Sequence, residues 1–187
     1  MRAYFADLAS LAAGAERTIG PALEKAAALV ADAALAGRTT LIFGNGGSAT
    51  QAQHFAAELV VRYRDDRRAL PAVALAADVS VLTASANDYG YDTVFSRQVE
   101  ALGRPGDVAV GLSTSGTSPN VVKALEAARA RGLATILMTG ETGRAEAPKW
   151  DVGLVVPSAE TAHVQELHLA AIHLICRHVD EELKRRG

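Results

Sequence analysis

The sequence contains little cysteine, few aromatic residues and no long apolar segment. One of its 187 residues is a cysteine, Cys176, which excludes a disulfide framework and a cysteine-rich zinc site and is typical of a reducing compartment. Aromatic residues make up 5% of the chain, and no apolar run reaches membrane-spanning length. The 19 basic and 21 acidic residues leave a net charge of -2, so no basic surface for nucleic acid is expected. These absences predict a cytoplasmic protein without nucleic-acid or membrane partners.

Apolar residues make up 49% of the chain, enough for a sizeable core. Short apolar runs predict five strands, over residues 40–43, 71–77, 107–112, 134–139 and 151–156. Strands that are apolar throughout and alternate with helices are typical of a parallel sheet covered on both faces. We therefore predict an α/β fold, a three-layer α-β-α sandwich with a five-stranded, mostly parallel sheet. It is predicted to be a single domain over 1–187, with N-terminal helices in 1–37 and an α/β core in 38–187.

Helical periodicity covers most of the remaining chain. Residues 3–37 have helical spacing that is interrupted by Gly20 and Pro21, which predicts two N-terminal helices. The polar segment 86–92 is predicted to be a loop. A long helix is predicted over 162–183, at the end of the chain.

Two loops rich in glycine and hydroxyl residues follow the first and third predicted strands. The first, residues 44–48, leads into a helix predicted over 48–63 with Ser48 as its N-cap. Its glycines allow a ligand to approach the backbone at the positive end of that helix. The second, residues 113–118, places five hydroxyl side chains around Gly116. Since the carboxyl ends of parallel strands meet at one edge of the sheet, the two loops together favour a phosphorylated ligand.

Simpler interpretations of both loops are a tight turn for the first and a serine-rich surface loop for the second. A dinucleotide-binding loop is a further alternative, because Gly44, Gly46 and Ala49 fit the pattern GxGxxA. That fold needs an acidic residue at the end of the second strand. Asp65 precedes this strand and Asp78 lies beyond it, which argues against a dinucleotide-dependent oxidoreductase.

Four polar side chains fall at helical spacing on two of the predicted helices. His54 and Glu58 share one helix face, and Gln165 and His173 lie about two turns apart on the last helix. Polar groups on an apolar stripe cost free energy unless they are paired or bound. Taken singly, a surface pair or a core histidine bonded to a carbonyl explains them, whereas together the four suit a divalent metal, best of all zinc. They also suit acid–base chemistry, with Glu58 as base and His173 as acid, and spacing does not decide between the roles. The other histidines of the last helix are interpreted as ordinary surface or core residues: His163, His168 and His178.

Four segments of the chain carry a family resemblance: GNGGSATQAQHFAAEL, LTASANDYGYDTVFSRQVEALGRPGDV, GLSTSGTSPNVVKAL and VPSAETAHVQELHLAAIH. In order and spacing they are similar to the phosphoheptose isomerases of the sugar-isomerase (SIS) domain superfamily, over nearly the whole chain. The resemblance implies conversion of D-sedoheptulose 7-phosphate to D-glycero-D-manno-heptose 7-phosphate, the first step towards nucleotide-activated heptose. It also implies a cytoplasmic homotetramer whose active sites lie between subunits.

The resemblance further implies roles for individual residues. The implied substrate-binding residues are Asn45, Gly46, Gly47, Asn87, Asp88, Ser113, Thr114, Ser115, Ser118 and Gln165. The implied ligands of a Zn²⁺ ion are His54, Glu58, Gln165 and His173, with Glu58 and His173 also forming the catalytic pair. Two departures from the family pattern, Ala162 and the segment 141–150, bear on substrate fit or loop closure.

Two other functions occur among similar proteins. One is a non-catalytic SIS protein that binds a partner protein, as the replication-initiator-associating homologue does; the histidine and glutamate ligands are replaced in such relatives and present here. The other is a sugar-phosphate-sensing regulator, which usually carries a DNA-binding segment that residues 1–37 are too short to supply. The isomerase is therefore the preferred prediction.

Overall fold

A five-stranded sheet forms the centre of the structure, a computed structural model that describes residues 2–186. The strands are β1 (Thr40–Gly44), β2 (Ala72–Ala74), β3 (Val108–Leu112), β4 (Ala134–Thr139) and β5 (Val152–Val155). The helices are α1 (Arg2–Leu35), α2 (Gly47–Val60), α3 (Val79–Tyr89), α4 (Ser96–Leu102), α5 (Pro119–Ala130) and α6 (Thr161–Arg186). Short 3-10 helices cover Tyr91–Thr93, Glu141–Gly143 and Ala147–Lys149.

The sheet has the strand order β2-β1-β3-β4-β5, and every neighbouring pair is parallel. Successive residues of a strand point to opposite faces of the sheet, and each face is covered by its own hydrophobic core. Ile42 and Val110 pack in the layer of α1, α2 and α6, whereas Leu41 and Ala109 pack against α4 and α5. These two cores confirm the predicted three-layer α/β sandwich, and the sheet is parallel throughout rather than mostly parallel.

The N-terminal segment is one helix, so the prediction of two helices was wrong. Helix α1 continues through Pro21, whose ring is on the exposed side, while Ile19 and Ala26 are buried on either side of it. An internal proline removes a hydrogen bond and costs about 3 kcal/mol. Packing of α1 along α6 outweighs that cost, as the buried residues before and after the proline indicate. Among residues 2–186, no helix has both the length and the apolar composition of a membrane span.

Two local predictions near the sheet edge also need correction. The predicted strand over 71–77 is a strand only at Ala72–Ala74, and the predicted loop over 86–92 begins inside α3. Helix α3 forms because the Asp78 side chain caps it, accepting a hydrogen bond from the backbone N–H of Val81 at 3.0 Å. Asp78 is therefore a helix cap rather than the ribose ligand of a dinucleotide fold.

The strand order places a topological switch point between β1 and β3. From β1 the chain proceeds to β2 on one side, and from β3 it proceeds to β4 on the other. Gly44 at the end of β1 lies beside Leu112 at the end of β3. The two loops singled out in the sequence therefore leave the sheet side by side, in the crevice where open parallel sheets bind their ligands.

Candidate active site

The loop after β1 is tied to the helix after β3 by a pair of side-chain amides. Asn45 Nδ2 donates to Asn120 Oδ1 at 2.9 Å, and Asn120 Nδ2 donates back to Asn45 Oδ1 at 2.8 Å. The Tyr91 hydroxyl also donates to Asn45 Oδ1, at 3.0 Å. Since Asn120 is buried, this network holds the first loop in a defined position against the second.

Helix α2 begins openly at this crevice. Its N-cap is Gly46, with φ +54°, and within the described chain no side chain caps this helix. Ser48, predicted as the cap, is instead buried in the first turn, because the helix starts one residue earlier, at Gly47. Gly46 and Gly47 are both exposed, so the positive end of α2 is accessible to a ligand.

The loop after β3 gathers hydroxyl groups at the start of α5. Ser113 Oγ lies 2.9 Å from Ser118 Oγ and 3.4 Å from Ser115 Oγ. Gly116 has φ +72°, and a Cβ there would lie 2.6 Å from the Cα of Gly143. The loop therefore requires glycine at this position, and its hydroxyls point together at a helix N-terminus that favours an anion.

A second set of hydrogen bonds supports this loop from behind. The carbonyl oxygen of Thr114 accepts from Gly140 N at 3.0 Å and from Thr142 Oγ1 at 3.3 Å. His168 Nε2 lies 3.3 Å from the carbonyl oxygen of Thr139, the last residue of β4. Burial lowers the pKa of His168 to about 4, so its imidazole is neutral and donates this hydrogen bond.

His54, Glu58 and His173 meet where α2 and α6 lie side by side. His54 Nε2 lies 3.0 Å from His173 Nε2 and 3.3 Å from Glu58 Oε1. One ligand atom from each of the three residues lies within 4.8 Å of the others. The ring of Tyr63 stacks on that of His173, with centroids 5.7 Å apart. The side chain of His54 is 41% exposed, so a small ligand can reach the cluster.

The cluster has the composition and spacing of a metal site. Two imidazole nitrogens that face each other at 3.0 Å either share one proton or bind one cation. Around a tetrahedral zinc ion, neighbouring ligand atoms lie roughly 3.4 Å apart. Two imidazoles and a carboxylate are ligand types that zinc accepts. The three side chains therefore fit a divalent metal.

Gln165 lies nearer to the start of α2 than to this cluster. Its Nε2 is 3.5 Å from Ser48 Oγ, and a Cβ on Gly47 would lie 2.8 Å from the same nitrogen. Its main-chain carbonyl accepts a hydrogen bond from the Gln51 side chain at 2.6 Å. His173 is two turns, about 12 Å, further along α6. The structure thus brings three of the four predicted metal ligands together and places Gln165 beside the first loop.

Asn87 and Asp88 lie in the last turn of α3, beside the crevice. Asn87 Nδ2 donates to Asp88 Oδ1 at 2.8 Å, and both residues are exposed. The chain then turns at Gly90 and reaches the first loop through the hydroxyl of Tyr91, which donates to Asn45. The predicted pair therefore lies on a segment that is anchored to the first loop.

A cavity of about 620 Å³ lies outside the two loops, none of whose residues lines it. It is bordered by β2, α3 and α4, and most of its lining side chains are apolar. Its charged groups are Asp78, Asp88 and Arg97. A sugar phosphate needs hydrogen-bond partners for its many oxygens, so this apolar cavity suits such a ligand less well than the two loops do.

Several supporting residues escaped the sequence-based prediction. Asn120 follows the second loop and resembles an ordinary first-turn residue, and Tyr91 lies in a segment that was predicted to be a plain loop. Arg67 and Asp180 form a buried ion pair next to the cluster, with N–O distance 2.8 Å, although Arg67 belongs to a charged run that looks solvated. The one available signal was that Asp180 falls seven residues after His173, on the same face of α6.

Comparisons with known proteins agree on one family. A protein-family profile described as SIS domain matches residues 3–140. A phosphoheptose isomerase of Citrifermentans bemidjiense is 53% identical over 169 residues, which are 90% of this chain and 88% of the relative. The solved phosphoheptose isomerase of Neisseria gonorrhoeae is 44% identical with a TM-score of 0.90, and that of Francisella tularensis is 34% identical with a TM-score of 0.92. Each superposition covers 96% of both chains.

Proposed function

The chain belongs to the phosphoheptose isomerase family of SIS-domain proteins, and from this premise we propose that it converts D-sedoheptulose 7-phosphate to D-glycero-D-manno-heptose 7-phosphate. The observation that carries the proposal is the group formed by Glu58, His54 and His173. This group places a carboxylate and two imidazoles close together on α2 and α6, where a small ligand can reach them. The reaction is the first step towards nucleotide-activated heptose.

The reaction moves one carbon-bound proton and one oxygen-bound proton. Glu58 takes the proton from C1 of the ketose, which leaves an enediol(ate), and returns it to C2 to form the aldose. His173 exchanges the hydroxyl proton between O1 and O2. A carboxylate and an imidazole next to each other are the groups that such proton transfers need.

The two loops hold the rest of the substrate. The phosphate binds to the hydroxyl loop at the start of α5, where the helix N-terminus and the serine hydroxyls supply donors without a lysine. The sugar hydroxyls lie against the first loop, Gln165, Asn87 and Asp88. The substrate-binding loop residues are Asn45, Gly46, Gly47, Ser113, Thr114, Ser115 and Ser118.

A zinc ion is proposed at the cluster, held by His54, Glu58 and His173. When bound, it supplies positive charge that stabilises the oxygens of the enediol(ate). Gln165 joins this ligand set only if its amide leaves Gly47 and Ser48, which it contacts here. A carboxylate that binds a metal is a weaker base, so Glu58 would act as the base only while it is not a metal ligand.

A cytoplasmic homotetramer with active sites near subunit interfaces completes the proposal. In one chain, His54 lies seven residues, about 10 Å, from the start of α2, so the cluster lies well along this helix from the first loop. The cluster also has an exposed side, because His54 is 41% exposed at its side chain. A site shared between protomers would let the loops of one subunit face the cluster of another.

Turnover of D-sedoheptulose 7-phosphate by the purified protein tests the proposal. It is measured before chelation, after chelation and after zinc is restored. Activity that disappears with chelation and returns with zinc supports both the reaction and the metal. Activity that does not change on chelation supports the isomerase reaction without a metal. His54, Glu58, Gln165 and His173 would then have acid–base and binding roles only. Absence of turnover in all three states would contradict the proposed reaction.

A further inference from the structure

A buried guanidinium lies at the far end of the two helices that carry the cluster. Arg67 Nε donates to Asp180 Oδ1 at 2.8 Å, and the side chains of Arg67 and Asp180 are 8% and 3% exposed. Arg67 Nη2 donates to the carbonyl oxygen of Glu58 at 2.8 Å, and Nη1 donates to that of Leu59 at 2.9 Å. One side chain thus joins the last carbonyls of α2 to a carboxylate of α6.

The carboxylate of Asp180 is also fully engaged. Its second oxygen, Oδ2, lies 3.3 Å from the backbone nitrogen of Arg64 and 3.5 Å from that of Asp65. Asp180 therefore holds the segment that follows α2, while Arg67 holds the helix end itself. A buried ion pair is costly unless its remaining hydrogen-bonding groups are satisfied, and here both partners have additional partners.

This pair is close to the reacting groups along both helices. Glu58 offers its side chain to the cluster and its carbonyl oxygen to Arg67. Asp180 lies two turns, about 10 Å, beyond His173 on α6. The contacts between α2 and α6 advance in the same direction, from Gln51 with Gln165 to His54 with His173. A small slide or rotation of one helix would change the separation of the two imidazoles.

We propose that Arg67 and Asp180 are positioning residues that fix α2 against α6 and thereby set the geometry of Glu58, His54 and His173. The inference rests on the proposed function. Its consequence is that loss of the pair weakens metal binding and lowers kcat, while KM for the sugar phosphate changes little because both substrate loops lie at the other end of α2.

The alternative is that the pair only stabilises the fold, and a double substitution separates the two roles. Replacing both partners of a buried ion pair by apolar side chains of similar volume is often neutral or stabilising. Arg67→Met with Asp180→Leu is therefore expected to fold, yet it lacks the directional bonds to the carbonyls of α2. The matched control is Arg177→Met with Glu181→Leu, an exposed pair on α6 whose side chains are 58% and 57% exposed.

The experiment measures zinc affinity, thermal stability, kcat and KM for the parent, the double variant and the control. Zinc affinity is measured on metal-free protein by competition with a chelator, so it does not depend on turnover. We expect the double variant to bind zinc about 10- to 100-fold more weakly and to lose kcat by a similar factor, as groups that orient metal ligands usually do. The control should match the parent in every measurement.

A folded double variant with the zinc affinity and kcat of the parent would overturn the proposal. If the double variant does not fold, Asp180→Asn decides, because it keeps the size of the side chain while removing its charge and one of its two acceptor oxygens. Unchanged zinc affinity and kcat in that variant would have the same meaning. A parent protein that binds zinc but has no turnover would contradict the proposed function, and the zinc comparison would still test the positioning pair.

Discussion

The two ends of α2 are built in different ways. At its start, Gly46 and Gly47 are exposed and no side chain within residues 2–186 caps the helix. At its end, the carbonyl oxygens of Glu58 and Leu59 receive hydrogen bonds from the buried Arg67. The start is accessible to a ligand, whereas the end is closed by hydrogen bonds within the protein. One end of α2 is therefore accessible from solvent, and the other end is fixed by hydrogen bonds.

The largest expected effect follows from removing only one partner of the buried ion pair at the closed end of α2. Arg67→Met leaves the carboxylate of Asp180 buried without its cation, so we expect the free energy of unfolding to fall by about 3–5 kcal/mol. Chemical denaturation measures it. Arg177→Met, which removes one partner of an exposed pair, should change the same quantity by less than about 1 kcal/mol. Equal effects of the two substitutions would contradict the distinction between a buried and an exposed pair.

The next effect concerns chemistry between the two ends. Glu58→Gln keeps the size of the side chain but removes the base, so turnover should fall by more than about a hundredfold, or about 2.7 kcal/mol in the barrier. Because the carbonyl oxygen of Glu58 still accepts from Arg67, thermal stability and oligomeric state should remain those of the parent. Steady-state kinetics and a melting curve measure both. Parental turnover in this variant would remove Glu58 from the mechanism.

A smaller effect concerns the support behind the loop that follows β3, where the ring of His168 hydrogen-bonds the carbonyl oxygen of Thr139. Burial lowers the pKa of His168 from 6.5 to about 4. Below pH 6.5 the unfolded chain therefore binds a proton that the folded protein does not, and stability is lost as the pH falls towards 4. Between pH 7 and 4.5 this amounts to about 2 kcal/mol.

The measurement is urea denaturation at several pH values, for the parent and for His168→Gln. The glutamine can still donate to the Thr139 carbonyl but does not titrate. The parent should lose about 2 kcal/mol more than the variant over this range. Parallel pH dependences would show that His168 is not the group responsible.

The sequence predicted those features that depend on local residue types. Continuous apolar runs predicted the strands, and the glycines after Phe43 and the hydroxyls after Leu112 predicted the two loops. The spacing of His54 and Glu58 predicted their common face, and the structure brings His173, another of the predicted ligands, next to them. These inferences are local, or depend on the single rule that parallel strand ends meet at one edge.

The remaining features depend on tertiary contacts. The effect of Pro21 was overestimated because the packing of α1 on α6 does not show in the local sequence. Arg67 lies in a run of charges, and such a run predicts a solvated segment until the position of Asp180 is known. Gln165 shares a stripe with His173, but spacing alone did not show that its amide contacts Gly47. Each of these residues is defined by a partner distant in sequence.

The smallest effect tests the open end of α2 directly. Alanine favours helix over glycine by about 0.5–1 kcal/mol, so Gly47→Ala should leave stability unchanged or raise it slightly. Its Cβ would lie 2.8 Å from Gln165 Nε2, however, so the amide has to move out of the crevice. We expect KM to rise roughly tenfold, equivalent to about 1.4 kcal/mol.

Gly14→Ala in α1 is the matched control for this substitution, because its Cβ would have no atom within 4 Å. It should give a small gain in stability with unchanged KM. The pair thus separates two consequences of one added methyl group, a change in helix propensity and the contact with Gln165, which only Gly47 makes. If Gly47→Ala has the KM of the parent, the amide of Gln165 does not bind the substrate from the place it occupies here. The open start of α2 would then contribute through its backbone alone.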